Sequence, residues 1–323
     1  MRFLFFLSLS LWAHAVEVSV SDGTLLIVSS NDIEIKSCHS SELNMDDLLF
    51  ELNSGTNVVI RTLDRGRISI LDPLIWNSSG HLELQSEESI VIQAIVGSLQ
   101  MGNVQLKAAQ DIVLNSSLFS AAQIFSQGGQ IRIEAASLYL KSSGTSTEIL
   151  AMNGDLKVEL SGDLHLKSGM DGFPDAFSRL IAQNVFMNIG GDGCLSAGDG
   201  SRTTAEIIAQ DVLDISFLGN LSLIGGFHSD RSFALIAGCN STSIFVGGNA
   251  LLTSGTEGIA RIASRNGDLH LRVGKEDEGT LMLTGNSVAG PASIDAKGTV
   301  EISSNPNIEM NLGQIISKTG PER

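Results

Sequence analysis

The sequence predicts an all-β solenoid whose short strands stack three to a coil, and three observations predict it. A paired-strand unit returns about every 22 to 32 residues from Val58 almost to the C-terminus, a period typical of solenoids. Within each unit, apolar and polar residues alternate over about four to six positions, the signature of a strand with one buried face. Ile131-Arg132-Ile133-Glu134 and Leu164-His165-Leu166-Lys167 are examples. A third apolar segment separates successive pairs: Glu148-Ile149-Leu150-Ala151, Arg179-Leu180-Ile181-Ala182, Glu206-Ile207-Ile208-Ala209 and Ala234-Leu235-Ile236-Ala237, with looser copies at Arg261-Ile262-Ala263 and Ser293-Ile294-Asp295. Three strands per turn make a roughly triangular coil. About ten coils, rising about 4.8 Å each, give a rod roughly 50 Å long.

The strand pairs fall at Val58/Ile68, Leu82/Ile90, Val104/Ile112, Ile131/Leu138, Leu156/Leu164, Val185/Leu195, Val212/Leu221, Ile244/Leu251, Leu269/Leu281 and, more weakly, Val300/Ile308. In the third segment, Leu180, Ile207 and Leu235 form an expected inward row. With 5 Pro against 34 Gly in 323 residues, the corners are built by Gly, Asn, Asp and Ser, which tolerate tight backbone. An amide or acid follows each third segment, at Asn153, Asn184, Asp211, Asn240 and Asn266, and equivalent corners on stacked coils can hydrogen-bond up the rod as a ladder. Residues 16–57 break this register and read as the cap that an open solenoid end needs, with 44–52 its helical part. The solenoid then covers 58–316, and 317–323 is a flexible polar tail. Bulges into solvent are expected at 168–178, 190–202, 225–232 and 274–279, the places where solenoids carry binding surfaces.

Arg2, an apolar run from Phe3 to Trp12 and then Ala13-His14-Ala15 make residues 1–15 a signal peptide with Val16 as the mature start. The run is too short for a transmembrane helix, and no later stretch is long and apolar enough for one. Acidic residues outnumber basic ones 36 to 20, a net charge of −16, which opposes a nucleic-acid groove or a polybasic membrane face. Cys38, Cys194 and Cys239 are too few and scattered for a disulfide framework or paired zinc ligands. They read as small apolar groups, with a Cys194–Cys239 bridge as the minority alternative.

Parallel β-helices also carry polysaccharide lyases and hydrolases, whose chemistry needs carboxylates converging on one face of adjacent coils. Alternation places Asp155, Lys157, Glu159, Asp163, His165 and Lys167 outward, a mixed-charge set that reads as a solvated face. His39, His81, His165, His228 and His270 have no metal-ligand spacing, although His81, His165 and His270 fall at similar strand positions. The 190–200 segment resembles a calcium-binding Gly-Asp turn, but Leu195 stands where the repeat needs Asp, so Asp192 and Asp199 are not read as ligands. No catalytic, cofactor-binding or metal residue is assigned, and no cofactor is expected.

The ordered run 48–60 (LLFELNSGTNVVI), Gly66-Arg67-Ile68-Ser69-Ile70, 72–76 (DPLIW), Leu82-Glu83-Leu84, Ser89-Ile90-Val91-Ile92 and 102–114 (GNVQLKAAQDIVL) resembles the repeat region of filamentous-haemagglutinin-like bacterial exoproteins. The resemblance covers about a fifth of the chain closely and implies a right-handed parallel β-helix (β-solenoid), export to the bacterial surface or medium, an adhesin role and an outer-membrane export partner. The chain departs from that pattern in carrying its one Asn-Pro-Asn motif at Asn305-Pro306-Asn307, far from the N-terminus where the family's secretion domain has it. The expected function is therefore a non-enzymatic, secreted or cell-surface display rod or adhesin that binds a glycan or protein ligand. The alternative is a carbohydrate-active β-helix enzyme.

Overall fold

The computed structural model describes residues 23–28, 32–38, 45–62, 66–169, 173–226, 232–256, 258–275, 279–286, 291–303 and 307–317, with side chains from Asp46 onward. Short strands wind into a parallel β-helix with three sides; the alternation and the repeating third segment predict the three-sided solenoid, and the resemblance its parallel winding. Side I runs from Asn57–Thr62 through Ile131–Ala135 to Val300–Ser303. Side II is a ten-stranded parallel ladder from Ile68–Ile70 to Asn307–Asn311. Side III runs from Leu74–Trp76 to Gln314–Ser317. In the middle coils sides III and I merge: Thr147–Leu160 and Phe177–Ile189 bend round the corner between them as single strands, with a register shift between Ala151 and Asp155.

Alternate side chains from all three sides meet in one axial core. Leu138, Leu140, Leu164, Leu166 and Leu195 stack down side II with no exposed surface, as do Leu180, Ile207 and Ile236 down side III. Each such side chain contributes about 1.5–3 kcal/mol by leaving water, and every coil shares that gain with its two neighbours. One inward assignment is corrected here. Ile207 pairs with Ile236, and Leu235 pairs with Glu206, so Leu235 lies half-buried on the outer face.

The described part of 16–57 adds a strand pair and a helix to the first coil. Asp32–Cys38 extends side I by one parallel strand, and Gly23–Val28 pairs with it antiparallel. Helix Met45–Asn53 begins with Asp46 and Asp47, whose charges suit the positive end of its dipole. It lays Leu48 and Leu52 on the first coil, where both are buried. The helix ends at Gly55, whose φ of +89° favours glycine and whose N–H reaches the Leu52 carbonyl at 3.1 Å. Asn53 Oδ1 then accepts from the Asn77 N–H at 2.8 Å, tying the helix to the coil beneath. Residues 1–22, which include the expected signal peptide, lie outside the described residues, as do His39, His228 and 318–323 of the tail.

A corner ladder exists, displaced from the expected one. At the start of side II, Asp163 Oδ1 accepts from Asp192 N–H at 2.8 Å and Asp192 Oδ1 from Asn220 N–H at 2.6 Å. Asn220 Oδ1 accepts from Asn249 N–H, and Asn249 Oδ1 from Thr280 N–H, both at 2.9 Å. Each side chain satisfies a main-chain donor of the next coil that the turn leaves unpaired. Of the residues expected to form a ladder, Asp211 and Asn240 bond to each other at 2.8 Å. Asn153, Asn184 and Asn266 bond instead to the Gln127 carbonyl, to Asp155 and to Cys239 Sγ.

Candidate ligand-binding surface

The corners between sides I and II and between III and I are mostly tight, whereas the chain bulges at the corner between II and III. The expected bulge at 190–202 divides: 190–192 is a close turn, Gly193–Ser196 is a side II strand, and 197–203 alone loops outward. That loop stacks on the described part of 168–176 from the coil before. Gly169 adopts φ +59°, and a Cβ there would stand 2.3 Å from Thr203 Cγ2. The Asp175 N–H donates to the Ser201 carbonyl at 3.0 Å, and Arg202 Nη2 donates to Asp175 Oδ2 at 2.6 Å. Asp175 and Arg202 both hold φ of 58°, a left-handed conformation uncommon for residues with side chains and worth noting where it concentrates. Thr203, buried beneath, donates to the Gly198 carbonyl at 2.9 Å and anchors the loop base. The two loops therefore form one clasped unit.

The same corner exposes apolar side chains on earlier coils. Phe119 is 94% exposed, and Leu118 beside it rests over Gly144, where a Cβ would lie 2.9 Å from Leu118 Cδ2. Phe173 is exposed on the clasped loop. The corner continues onto the outer face of side III, where one row reads Ile75, Gly97, Phe125, Leu150, Ile181 and Ile208 on consecutive coils. Ile75 is exposed, Phe125, Leu150, Ile181 and Ile208 are half-buried, and the Phe125 ring lies over Gly97.

Beside this apolar row runs a polar one. Gln123 Nε2 donates to Glu148 Oε2 at 3.1 Å, and Arg179 lies between Glu148 at 3.7 Å and Glu206 at 3.1 Å. The Arg179 guanidinium also covers the Phe177 ring at 3.8 Å, a cation–π contact. Burial pushes both carboxyls above the usual glutamate range, and Arg179 pulls each part of the way back. The row is a packed ion ladder whose charges are spent on one another.

The outward carboxylates and histidines separate onto different sides. On side I, Glu134 and Glu159 stack on adjacent coils, but Arg132 reaches both, at 2.7 and 3.4 Å, and Lys107 reaches Glu134 at 3.5 Å. Asp163 is engaged in the corner ladder, and Asp214 lies on side I in the row between Phe186 and Ser243. The three histidines do not share a strand position. His81 is a corner residue whose Nδ1 accepts from the Asn103 N–H at 2.9 Å. His165 stacks on Tyr139 on side II with ring centroids 4.9 Å apart, and His270 pairs with Glu301 on side I at 2.9 Å. Cys194 lies on side II and Cys239 at the corner between III and I, both as free thiols; burial pushes Cys194 up, against the pull of Lys167. Asp192 serves the corner ladder and Asp199 the 197–203 loop. Among the described residues, no three His, Cys, Asp or Glu side chains are grouped to hold a metal ion, and no helix is long and apolar enough to cross a membrane.

Of the four expected bulges, 168–178 and 190–202 fall at this corner, while 227–231 and 276–278, the middles of the other two, lie outside the described residues; Phe119 and the side III row were missed. An apolar Leu-Phe pair between serines was the available signal at 117–120, and the row was masked because its outward residues sit in runs that are apolar on both faces. The chain matches no protein-family model, no curated protein and no solved structure, so its function is read from its own surface.

Proposed function

We propose that this chain is a non-enzymatic β-solenoid that works outside a bacterial cell or on its surface as a rigid display rod or adhesin. The corner between sides II and III holds the glycan or protein ligand. One observation carries this reading: that corner exposes Leu118 and Phe119 on one coil and Phe173 two coils further on, beside a clasp, Asp175–Arg202, whose two residues both hold a left-handed conformation. Aromatic and arginine side chains at the centre of a patch supply most of the energy of typical interfaces. The solenoid beneath fixes their spacing, because each coil is held by its neighbours. The leader-like pattern of residues 1–15 and the resemblance to filamentous-haemagglutinin-like repeats support export and adhesion.

The test is a glycan and host-cell binding array with the purified chain, followed by Phe119→Ser, Phe173→Ser and Arg202→Ala. Binding should weaken at least about 10-fold in each variant, and shortening 168–176 and 197–203 to the length of the 142–146 turn should abolish it while the β-rich circular dichroism spectrum stays. Binding indifferent to all these changes would refute the corner. Depolymerisation of a polysaccharide, lost in Glu159→Gln, would place the protein among the carbohydrate-active β-helix enzymes.

A further inference from the structure

On sides I and III, outer charges that stack on consecutive coils are balanced. Lys107 is the register partner of Glu134, Arg179 lies between Glu148 and Glu206, and His270 pairs with Glu301. Where like charges stack there, as Arg132 on Lys157 and Glu134 on Glu159, the two rows run side by side and Arg132 joins both carboxylates. Side II departs from this. Lys141 and Lys167 are register partners on consecutive coils, both exposed, and neither forms an ion pair among the described residues. Strands in register lie about 4.8 Å apart, and like charges directly opposite one another destabilise a sheet.

Both lysines end their strands, where side II turns into the corner that carries Phe119 and Phe173. The Lys141 ammonium stands 5.0 Å from the centre of the Tyr139 ring, and that ring stacks on His165 within 2° of parallel. In the row of the lysines, Asn115 precedes Lys141 and Ser196 follows Lys167, so the pair is bordered by neutral hydrogen-bonding groups. Asp163 stands at the other end of the strand, 3.9 Å from His165, with one oxygen held by the corner ladder.

We propose that Lys141 and Lys167 together hold the carboxylate of an acidic sugar residue, so that the ligand of this corner is a sparsely charged acidic glycan. The inference rests on the display reading and names its ligand class. A carboxylate offers each ammonium one oxygen and ends the repulsion between them. Asn115, Ser196 and Tyr139 are the hydrogen-bonding groups for ring hydroxyls, and Phe119 and Phe173 are the apolar surfaces for further sugar rings. An extended acidic peptide has less to bind, because both lysine strands are hydrogen-bonded along both edges and leave it no main chain to pair with. A dense polyanion is repelled by a chain of net charge −16, whereas a single carboxylate needs only this pair.

Titration calorimetry of the intact chain with uronic-acid and sialic-acid oligosaccharides, each beside its carboxyl-reduced form, tests the site. At least one acid form should bind at least about 10-fold more tightly than its reduced form, and more weakly as salt rises. Lys141→Gln and Lys167→Gln should each remove that preference without lowering the melting temperature, since each also removes a like-charge contact. No preference for any acid form, or a preference that survives both substitutions, would overturn the proposal. So would tighter binding of a polyglutamate peptide, which would assign the lysine pair to a protein partner. A neutral glycan whose binding is lost in Phe119→Ser but kept in both lysine variants would overturn the acidic ligand and leave the display reading standing. No ligand of any kind on the binding array would remove that reading and this inference with it.

Discussion

Phe217 fills the space that Gly193 leaves empty. The two belong to consecutive coils on different sides, and a Cβ built on Gly193 would stand 2.3 Å from the Phe217 ring. Both are buried, so the ring has no free volume into which to retreat. The glycine that resembled part of a calcium-binding turn is instead the small half of a large–small core pair.

Gly193→Ala should therefore cost about 1–3 kcal/mol through overpacking. Phe217→Leu alone should also destabilise, by leaving a cavity, but the double variant should recover part of the loss in Gly193→Ala. Thermal unfolding of the four proteins measures the coupling. Simple additivity would mean that the ring and the glycine do not share one space.

The register of side III makes opposite predictions for two neighbouring-coil residues. Ile207→Asp places a charge in the axial core and should unfold the rod or truncate it at that coil, a loss of about 4 kcal/mol or more. Leu235→Asp, on the outer face opposite Glu206, should fold and lose at most about 1 kcal/mol. Limited proteolysis with circular dichroism separates the two results; equal damage from both would invalidate the side III register.

Glu206 gives a pH dependence of definite sign. Burial raises its carboxyl pKa in the folded chain, so the folded state binds the proton more tightly than the unfolded one. That contribution to stability is fully present below the ordinary glutamate range and is lost as pH rises through the raised folded value. Glu206→Gln, a mimic of the protonated form, should match the parent near about pH 4 and gain in relative melting temperature toward about pH 7. A variant that falls behind the parent as pH rises would show that pairing with Arg179 outweighs burial.

The period, the strand pairs and the helical cap were legible in the sequence because alternation and turn residues act locally. Register on side III was not. In Ala234-Leu235-Ile236-Ala237 every residue is apolar, so parity carries no signal. The corner ladder was misplaced for a related reason: Asp192 and Asn220 act by accepting main-chain N–H groups from the next coil, a role that residue type alone does not distinguish from turn formation. The clasp between Asp175 and Arg202 joins residues 27 apart in sequence, and stacking alone brings them together.

The closed N-terminal end also gives the molecule a direction in time. A coil laid on nothing has neither buried side chains nor paired edges, whereas a coil laid on the finished cap has both waiting for it. Helix Met45–Asn53 and the strand Asp32–Cys38 leave the ribosome before any coil does, and each later coil of about 22 to 32 residues arrives where the previous one has just become a template. This template favours growth from the cap, one rung at a time, so a chain threaded N-terminus first through a narrow opening would have its nucleus on the far side before its last coils arrive.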